Sequence, residues 1–277
     1  MVHRAALRLF ERRKIMDSTN FDQLKEDIVF FENFIGQALE ARYSAYPSIV
    51  KASFLDNDPV KKWDLLLFFE TYKNISVYPN DRLDLVIYNL MDIKLQFFYI
   101  LEVDLALYNS LVYVDGYDEK KHARNPYILL KRFSLDQSLI SKSRILWERI
   151  MNLIYYLETG EILELKKSNK KSKRKIFFEF INQTPKWHFI KLYDQTLIEY
   201  DNNFRTPEFH KNSVLRAELF GNRENDANKM LGLVNIASNA LWENMMAIIS
   251  GKKLNNVFYI PTGDNDPNND LIEKLLE

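Results

Sequence analysis

The chain contains no cysteine, and this absence excludes several kinds of chemistry. Without a thiol there is no disulfide, no thiolate metal site and no cysteine nucleophile. Glycine and proline are also scarce, with 7 Gly and 8 Pro among 277 residues. Sheet-rich folds need many tight turns and the residues that form them, so this scarcity predicts long helices with few connections.

Neither sign of charge is in excess. The 38 basic and 38 acidic side chains cancel, which argues against a whole-molecule field that steers the protein onto nucleic acid and leaves room only for a local basic patch. The sequence also has no His-Glu-x-x-His or clustered aspartate spacing, no glycine-rich phosphate loop and no Gly-x-Ser-x-Gly elbow. We therefore expect no metal, no cofactor and no serine hydrolase chemistry.

Signals for secretion or membrane insertion are lacking as well. Residues 1–16 are arginine-rich without an apolar run or a cleavage site, and we interpret them as a disordered or mis-started extension. The most apolar window, 95–114, carries Glu102 and Asp104. Each acid would cost about 2.5–3.5 kcal/mol at a bilayer centre. We therefore expect a buried helix there, no membrane span and a cytoplasmic protein.

What the sequence does contain is a series of apolar stripes with helical spacing. The first stripe is Leu24, Ile28, Phe31, Ile35 and Leu39. The second is Leu139, Ser143, Leu146, Ile150, Leu153 and Leu157, in which Ser143 is the one polar residue. The third is Met230, Val234, Ala237, Leu241, Met245 and Ile248. This pattern predicts an all-α fold, a multi-helix bundle with long antiparallel helices and at most a minor strand element. We assign 17–260 to a single helical domain and 261–277 to a tail with a short helix.

Several helix boundaries can also be predicted. Pro59 fits the first position of a helix whose run 65–69 is apolar all round, which predicts burial on more than one side. Residues 81–114 form one very long helix or two joined end to end. A polar loop at 115–126 precedes a helix capped by Ser134, and Gly160 and Gly251 are good helix stops.

The stretch 186–220 is predicted to form two helices separated by a short polar break. Arg205 and His210 lie at this joint. Thr206 fits the N-cap of the second helix, Pro207 fits its first position, and Glu208 suits its positive end. Arg205 would then precede the helix and His210 would lie about one turn into it, so both could face one cleft.

The sequence Arg-Thr-Pro-Glu-Phe-His from Arg205 to His210 resembles the Arg-x4–6-His motif of the HEPN superfamily, helical-bundle proteins of which many are metal-independent ribonucleases. The resemblance covers the motif and its helical setting, 134–250. The family usually has a polar residue, often Asn, directly after the arginine, and Thr206 followed by Pro207 departs from that pattern. The resemblance implies a homodimer with a composite site of facing Arg and His residues, and a toxin or phage-defence role with an antitoxin-like protein partner.

These residue types suit RNA cleavage. Attack of a ribose 2′-hydroxyl on the adjacent phosphate needs a group that moves a proton near neutral pH, and histidine has an ordinary pKa near 6.5. It also needs a fixed cation for the developing negative charge, which arginine provides. The side chains able to orient this pair are Glu199, Asp201, Asn203 and Glu208.

A basic segment precedes the motif. Seven of the ten residues from 166 to 175 are Lys or Arg, and such a segment can contact RNA phosphates or form a solvated loop. The candidate RNA-binding residues are Lys166, Lys167, Lys170, Lys171, Lys173, Arg174 and Lys175, extended by Lys211 and Arg216.

A structural role for the motif is the alternative. Arg205 would then pair with Glu199, Asp201 or Glu208, and His210 would pack against the bundle. In that case the chain is a non-catalytic helical scaffold or interaction protein.

Overall fold

A computed structural model describes residues 20–44, 59–112, 126–164, 172–200 and 229–254, and the single positions 202, 203, 206, 208, 270, 271 and 274. Within these ranges the chain is predominantly helical and has no strand, which confirms the all-α prediction. The helices are α1 (Phe21–Ser44), α2 (Pro59–Lys62), α3 (Leu65–Ile75), α4 (Leu83–Val112), α5 (Pro126–Thr159), α6 (Lys173–Ile181), α7 (Asp194–Tyr200) and α8 (Lys229–Ile249), with 3-10 helical segments at Asn80–Arg82 and Pro185–Tyr193.

The two longest described helices, α4 and α5, pack against each other in opposite directions. Arg149 pairs with Asp92, and the Lys142 ammonium lies 4.9 Å from the centre of the Tyr99 ring. α4 is one continuous helix of 30 residues, which decides between the one-helix and two-helix predictions. No described helix combines the length and the apolar character needed to cross a bilayer.

α1 lies across α3 and α4 and buries the predicted stripe, from Leu24 to Leu39, in the core. Its pairing with α3 is antiparallel. Lys25 pairs with Glu70 at 2.6 Å, and Glu32 accepts a hydrogen bond from the backbone N–H of Leu65 at 3.2 Å. The predicted stripe of α5 is buried from Leu139 to Leu157, and in α8 the side chains of Leu241, Met245 and Ile248 are buried.

The helix predicted to begin at Pro59 is interrupted after one turn. Asp64 caps α3 by accepting a hydrogen bond from the N–H of Leu67 at 2.9 Å, and the carbonyl of Trp63 accepts one from the buried Lys94 ammonium at 2.7 Å. In the apolar run 65–69, for which burial on more than one side was predicted, Leu65, Phe68 and Phe69 are buried and Leu67 is 53% exposed. α3 therefore has an outer face.

Two other boundaries differ from the sequence prediction. α5 begins at Pro126 rather than at Ser134, because proline fits a first helical turn and nothing in 127–134 interrupts the helix. The segment Pro185–Tyr193 is a 3-10 helix rather than an α-helix. Its buried side chains include Trp187, Ile190 and Tyr193, whose spacing of three residues matches the three residues per turn of a 3-10 helix.

The predicted helix stops are confirmed. Gly160 and Gly251, at the ends of α5 and α8, have φ of 76° and 65°, a conformation that glycine adopts without steric penalty.

The predicted extension 1–16 and most of the loop 115–126 lie outside the described residues. In the predicted tail, positions 270, 271 and 274 are helical.

Candidate functional site

The two residues predicted to carry the chemistry, Arg205 and His210, lie outside the described part of the chain. The same holds for Asp201, Lys166, Lys167, Lys170, Lys171, Lys211 and Arg216. Six predicted site residues are described, namely Glu199, Asn203, Glu208, Lys173, Arg174 and Lys175. Their positions define the surroundings of the motif and the end of the basic segment.

The chain approaches the motif along α7, which is anchored on α5. The hydroxyl of Tyr200 donates a hydrogen bond to the backbone carbonyl of Ile140, and Tyr200 is buried. Glu199 and Asn203 are exposed. One edge of this segment therefore packs on the bundle while two of the predicted supporting side chains face solvent.

The backbone at the predicted joint is helical wherever it is described. Asn202 and Asn203 have the wider π-helical geometry, and Thr206 and Glu208 are α-helical. Thr206 is therefore not the predicted N-cap, since an N-cap residue has non-helical torsion angles. π-helical turns open the backbone locally and are frequent at functional sites.

Glu208 is held against α5. Its carboxylate accepts a hydrogen bond from the side-chain amide of Gln137 at 3.2 Å, and its side chain is half-buried. Together with the Tyr200–Ile140 bond, this contact places the described residues on both sides of Arg205 next to one short stretch of α5, 137–140.

Sequence reasoning missed the contribution of α5 to this region. Asp136, next to Gln137, is fully buried, and burying a carboxylate is unfavourable unless other groups compensate its charge. A signal was present in the sequence, because Asp136 falls three residues before Leu139 on an otherwise largely apolar stripe. An acid at a stripe position indicates a polar contact across the helix interface.

The basic segment ends at the start of α6. Ser172 caps this helix by accepting a hydrogen bond from the N–H of Lys175 at 3.3 Å. Lys173 is half-buried and Lys175 is exposed. Cations in the first turn are disfavoured by the positive end of the helix, so an anion bound there would relieve that repulsion.

Arg174 makes an ion pair within the chain. Its guanidinium donates a hydrogen bond to Asp194 at the start of α7 and lies 5.8 Å from the centre of the Phe178 ring. Burial raises the pKa of the Asp194 carboxyl, and the nearby Arg174 opposes this shift. A phosphate would have to compete with Asp194 for this guanidinium.

A cleft of about 340 Å³ lies beside this pair, between α6 and the start of α7. Its lining residues are Ser172, Arg174, Lys175, Phe178, Glu179, Asn182 and Asp194. Because two acids and two cations line it, the cleft has no strong preference for an anion by charge alone.

A second histidine lies nearby, on the 3-10 segment after α6. Burial lowers the pKa of His188, the Lys191 charge lowers it further, and backbone hydrogen bonds to Asn182 and Ile181 oppose both effects. Through these bonds His188 lies against the carboxyl end of α6. Among the described residues, no group of three or more His, Asp or Glu side chains is arranged as a metal site.

Comparisons with protein-family models, with curated proteins and with solved structures found no match. The HEPN resemblance therefore depends on the motif and on the helical setting described above.

Proposed function

We propose that this chain is a HEPN-like protein that binds and cleaves RNA without a metal ion. The observation that carries the proposal is the Arg-x4-His sequence of Arg205 and His210 within an all-α chain. Further support comes from the anchoring of Tyr200 on α5, because a catalytic pair needs a rigid support to hold its geometry.

In the proposed reaction, the ribose 2′-hydroxyl oxygen attacks the adjacent phosphorus and the bond from phosphorus to the 5′-oxygen breaks. The products are a 2′,3′-cyclic phosphate and a 5′-hydroxyl. His210 accepts the proton of the 2′-hydroxyl, and a proton is returned to the leaving 5′-oxygen. Arg205 stabilises the additional negative charge on the phosphate in the transition state.

The basic segment 166–175 supplies the RNA-docking surface in this proposal. Lys175 is exposed at the start of α6 and Lys173 is partly so, and each lysine that neutralises a phosphate makes binding more sensitive to salt. A toxin or phage-defence role, with an RNA substrate, a homodimeric state and an antitoxin-like protein partner, belongs to the same proposal.

The docking role can be tested with paired lysine variants. We expect the Lys173→Ala/Lys175→Ala double variant to bind RNA more weakly and to reduce the slope of log affinity against log salt by about one for each phosphate that is no longer neutralised. Lys61→Ala/Lys62→Ala is the matched control, because these two lysines are exposed neighbours on α2. Equal slopes for the two double variants would contradict a docking role for Lys173 and Lys175.

The cleavage role can be tested with an RNA degradation assay in the presence of EDTA. We expect the wild-type chain to cut RNA and the His210→Ala and Arg205→Ala variants to lose cutting while keeping their thermal unfolding temperature. His122→Ala carries the same substitution outside the motif and should keep wild-type activity. Equal cutting by the wild type and the His210→Ala variant would contradict the proposed role of His210 in cleavage.

A non-catalytic scaffold is the second candidate, and two contacts favour it. Arg174 is paired with Asp194, and Glu208 is hydrogen-bonded to Gln137, so two of the predicted site residues make contacts within the chain. This alternative predicts that Arg205→Ala and His210→Ala lower the unfolding temperature and that no preparation cuts RNA.

A further inference from the structure

Helix α1 carries large apolar side chains on the side that faces away from the core. Val29, Phe30 and Phe34 are 41%, 66% and 41% exposed. Leu67, which is 53% exposed on α3, lies at the level of Val29 in the antiparallel α1–α3 pair. We call these four residues the α1 outer face. Exposed aromatic and aliphatic side chains that lie together typically mark a contact surface.

A shallow depression of about 560 Å³ lies on the same side of α1 and shares Val29 and Phe30 with the α1 outer face. It is lined by Asp22, Lys25, Glu26, Val29, Phe30 and Asn33. These positions form two successive sets with the spacing i, i+3, i+4 and i+7, one beginning at Asp22 and the other at Glu26. Four residues with this spacing form the hole that receives one side chain of a facing helix in knobs-into-holes packing. The outward side of α1 can therefore receive side chains of a facing helix.

We propose that the facing helix is α1 of a second copy of this chain, running antiparallel about a two-fold axis near Phe30. In this arrangement each Phe30 enters the hole formed by residues 26, 29, 30 and 33 of the other copy. A two-fold axis requires the same surface on both partners, and the outward side of α1 supplies both the knob and the hole.

The polar residues of α1 determine the direction of the two helices. In the antiparallel arrangement, Glu26 faces the partner's Asn33 and Asp22 faces the partner's Gln37, at nearly equal distances on either side of Phe30. All four polar side chains are exposed. Each carboxylate can then accept a hydrogen bond from an amide N–H. In a parallel arrangement each acid would face its own copy, which is unfavourable.

This proposal does not depend on RNA cleavage. α1 contains no residue of the Arg205–His210 motif, and the dimer implied by the HEPN resemblance forms around that motif instead. A failed cleavage assay would therefore not contradict the α1 interface, and an α1 variant that no longer pairs through α1 would not contradict cleavage at the motif.

The first test is sedimentation velocity of the full chain over a range of concentrations. We expect the wild type to form a dimer through α1, or a larger assembly where the motif interface also forms, and Phe30→Glu to weaken the association step through α1 by about tenfold or more, as for an anchor residue at the centre of an interface. Leu130→Glu is the matched control, because Leu130 is a similarly exposed apolar residue on α5, and it should dimerise like the wild type. A monomeric wild type, with the face covered by another segment or another protein, would overturn the proposal, as would equal effects of the two variants.

The second test does not depend on the folding of Phe30→Glu. Asn33→Lys places an ammonium opposite the partner's Glu26, so the antiparallel arrangement predicts tighter dimerisation. A parallel arrangement predicts weaker dimerisation, because the two new lysines would face each other. Unchanged or weaker dimerisation of Asn33→Lys would contradict the proposed register.

The register can also be mapped by cross-linking, because the chain contains no native cysteine. With a short bismaleimide, Phe30→Cys should cross-link to itself. Glu26→Cys and Asn33→Cys should cross-link efficiently only when the two proteins are mixed. If Glu26→Cys cross-links to itself as readily as Phe30→Cys does, the antiparallel register is wrong.

Discussion

At the scale of single residues, two buried cations connect α1, α4 and the α2–α3 junction. The Lys94 ammonium pairs with Glu32 at 2.5 Å and donates to the Trp63 carbonyl at 2.7 Å. The Arg42 guanidinium donates to Glu102 at 2.7 Å and to the Phe98 carbonyl at 2.6 Å. The acceptor carboxylates lie about 60 residues away in the sequence, so helical periodicity could not predict either contact.

The Lys94–Glu32 pair can be tested with a double-variant cycle. We expect Lys94→Met to destabilise the fold by about 3 kcal/mol, because removing one partner of a buried ion pair leaves the other charge uncompensated. Adding Glu32→Gln should restore part of that loss, since glutamine removes the charge and can still accept the Leu65 N–H. Urea unfolding of the four proteins measures the cycle, and strictly additive effects would contradict the pairing.

His188 gives the stability a predictable pH dependence. Burial lowers the pKa of this imidazole in the folded state, so the unfolded chain binds a proton more readily. The contribution of neutral His188 is present above its ordinary pKa near 6.5 and is lost as the pH falls through that value toward the folded-state pKa. Between about pH 7.5 and pH 5.5, we expect the unfolding temperature of wild type to fall more than that of His188→Gln. The same fall in both proteins would be the contrary result.

At the scale of helices, the sequence predicted the stripes of α1 and α5 and the glycine ends of α5 and α8, because local spacing and backbone sterics determine these features. The break at Trp63 and Asp64 and the 3-10 segment Pro185–Tyr193 could not be predicted in the same way. At the first, Lys94 from another helix binds the Trp63 carbonyl beside the local Asp64 cap, and the second accompanies the burial of side chains that recur every three residues. In both places tertiary contacts override local propensity.

Two glycines of these helices should respond in opposite ways to the same substitution. An added Cβ at Gly36 in α1 would contact nothing within 4 Å, so Gly36→Ala should stabilise the fold by about 0.5–1 kcal/mol. At Gly160 the φ is positive, and a Cβ would lie 3.2 Å from the Arg82 Nε.

Gly160→Ala should therefore destabilise the fold by about 1–2 kcal/mol. Arg82 also donates to the Leu157 carbonyl at 2.7 Å, so a shift of this side chain would disturb the end of α5 as well. Chemical denaturation of both variants checks the pair. A neutral or stabilising effect of Gly160→Ala would show that Gly160 does not need its left-handed conformation, and a destabilising effect of Gly36→Ala would contradict the prediction for Gly36.

At the scale of the whole molecule, the fold was more predictable than the site. Burial of apolar stripes determines an all-α bundle, and that pattern is repeated along the chain. A site depends on a few polar side chains from separate helices, and one motif cannot reveal its neighbours. The contact of Glu208 with Gln137 and the buried Asp136 on α5 illustrate this, because only tertiary structure brings the motif segment to that part of α5.

The measurement that tests the central claim most directly is cleavage of an RNA in the presence of EDTA. The comparison is an RNA of the same sequence that carries 2′-O-methyl groups. If Arg205 and His210 promote attack by the 2′-hydroxyl, the wild type cuts only the unmodified RNA. The products then carry 2′,3′-cyclic phosphate and 5′-hydroxyl ends. A folded His210→Gln variant cuts neither RNA. Intact RNA with the wild type, or equal cutting of both RNAs or by both proteins, would contradict the account.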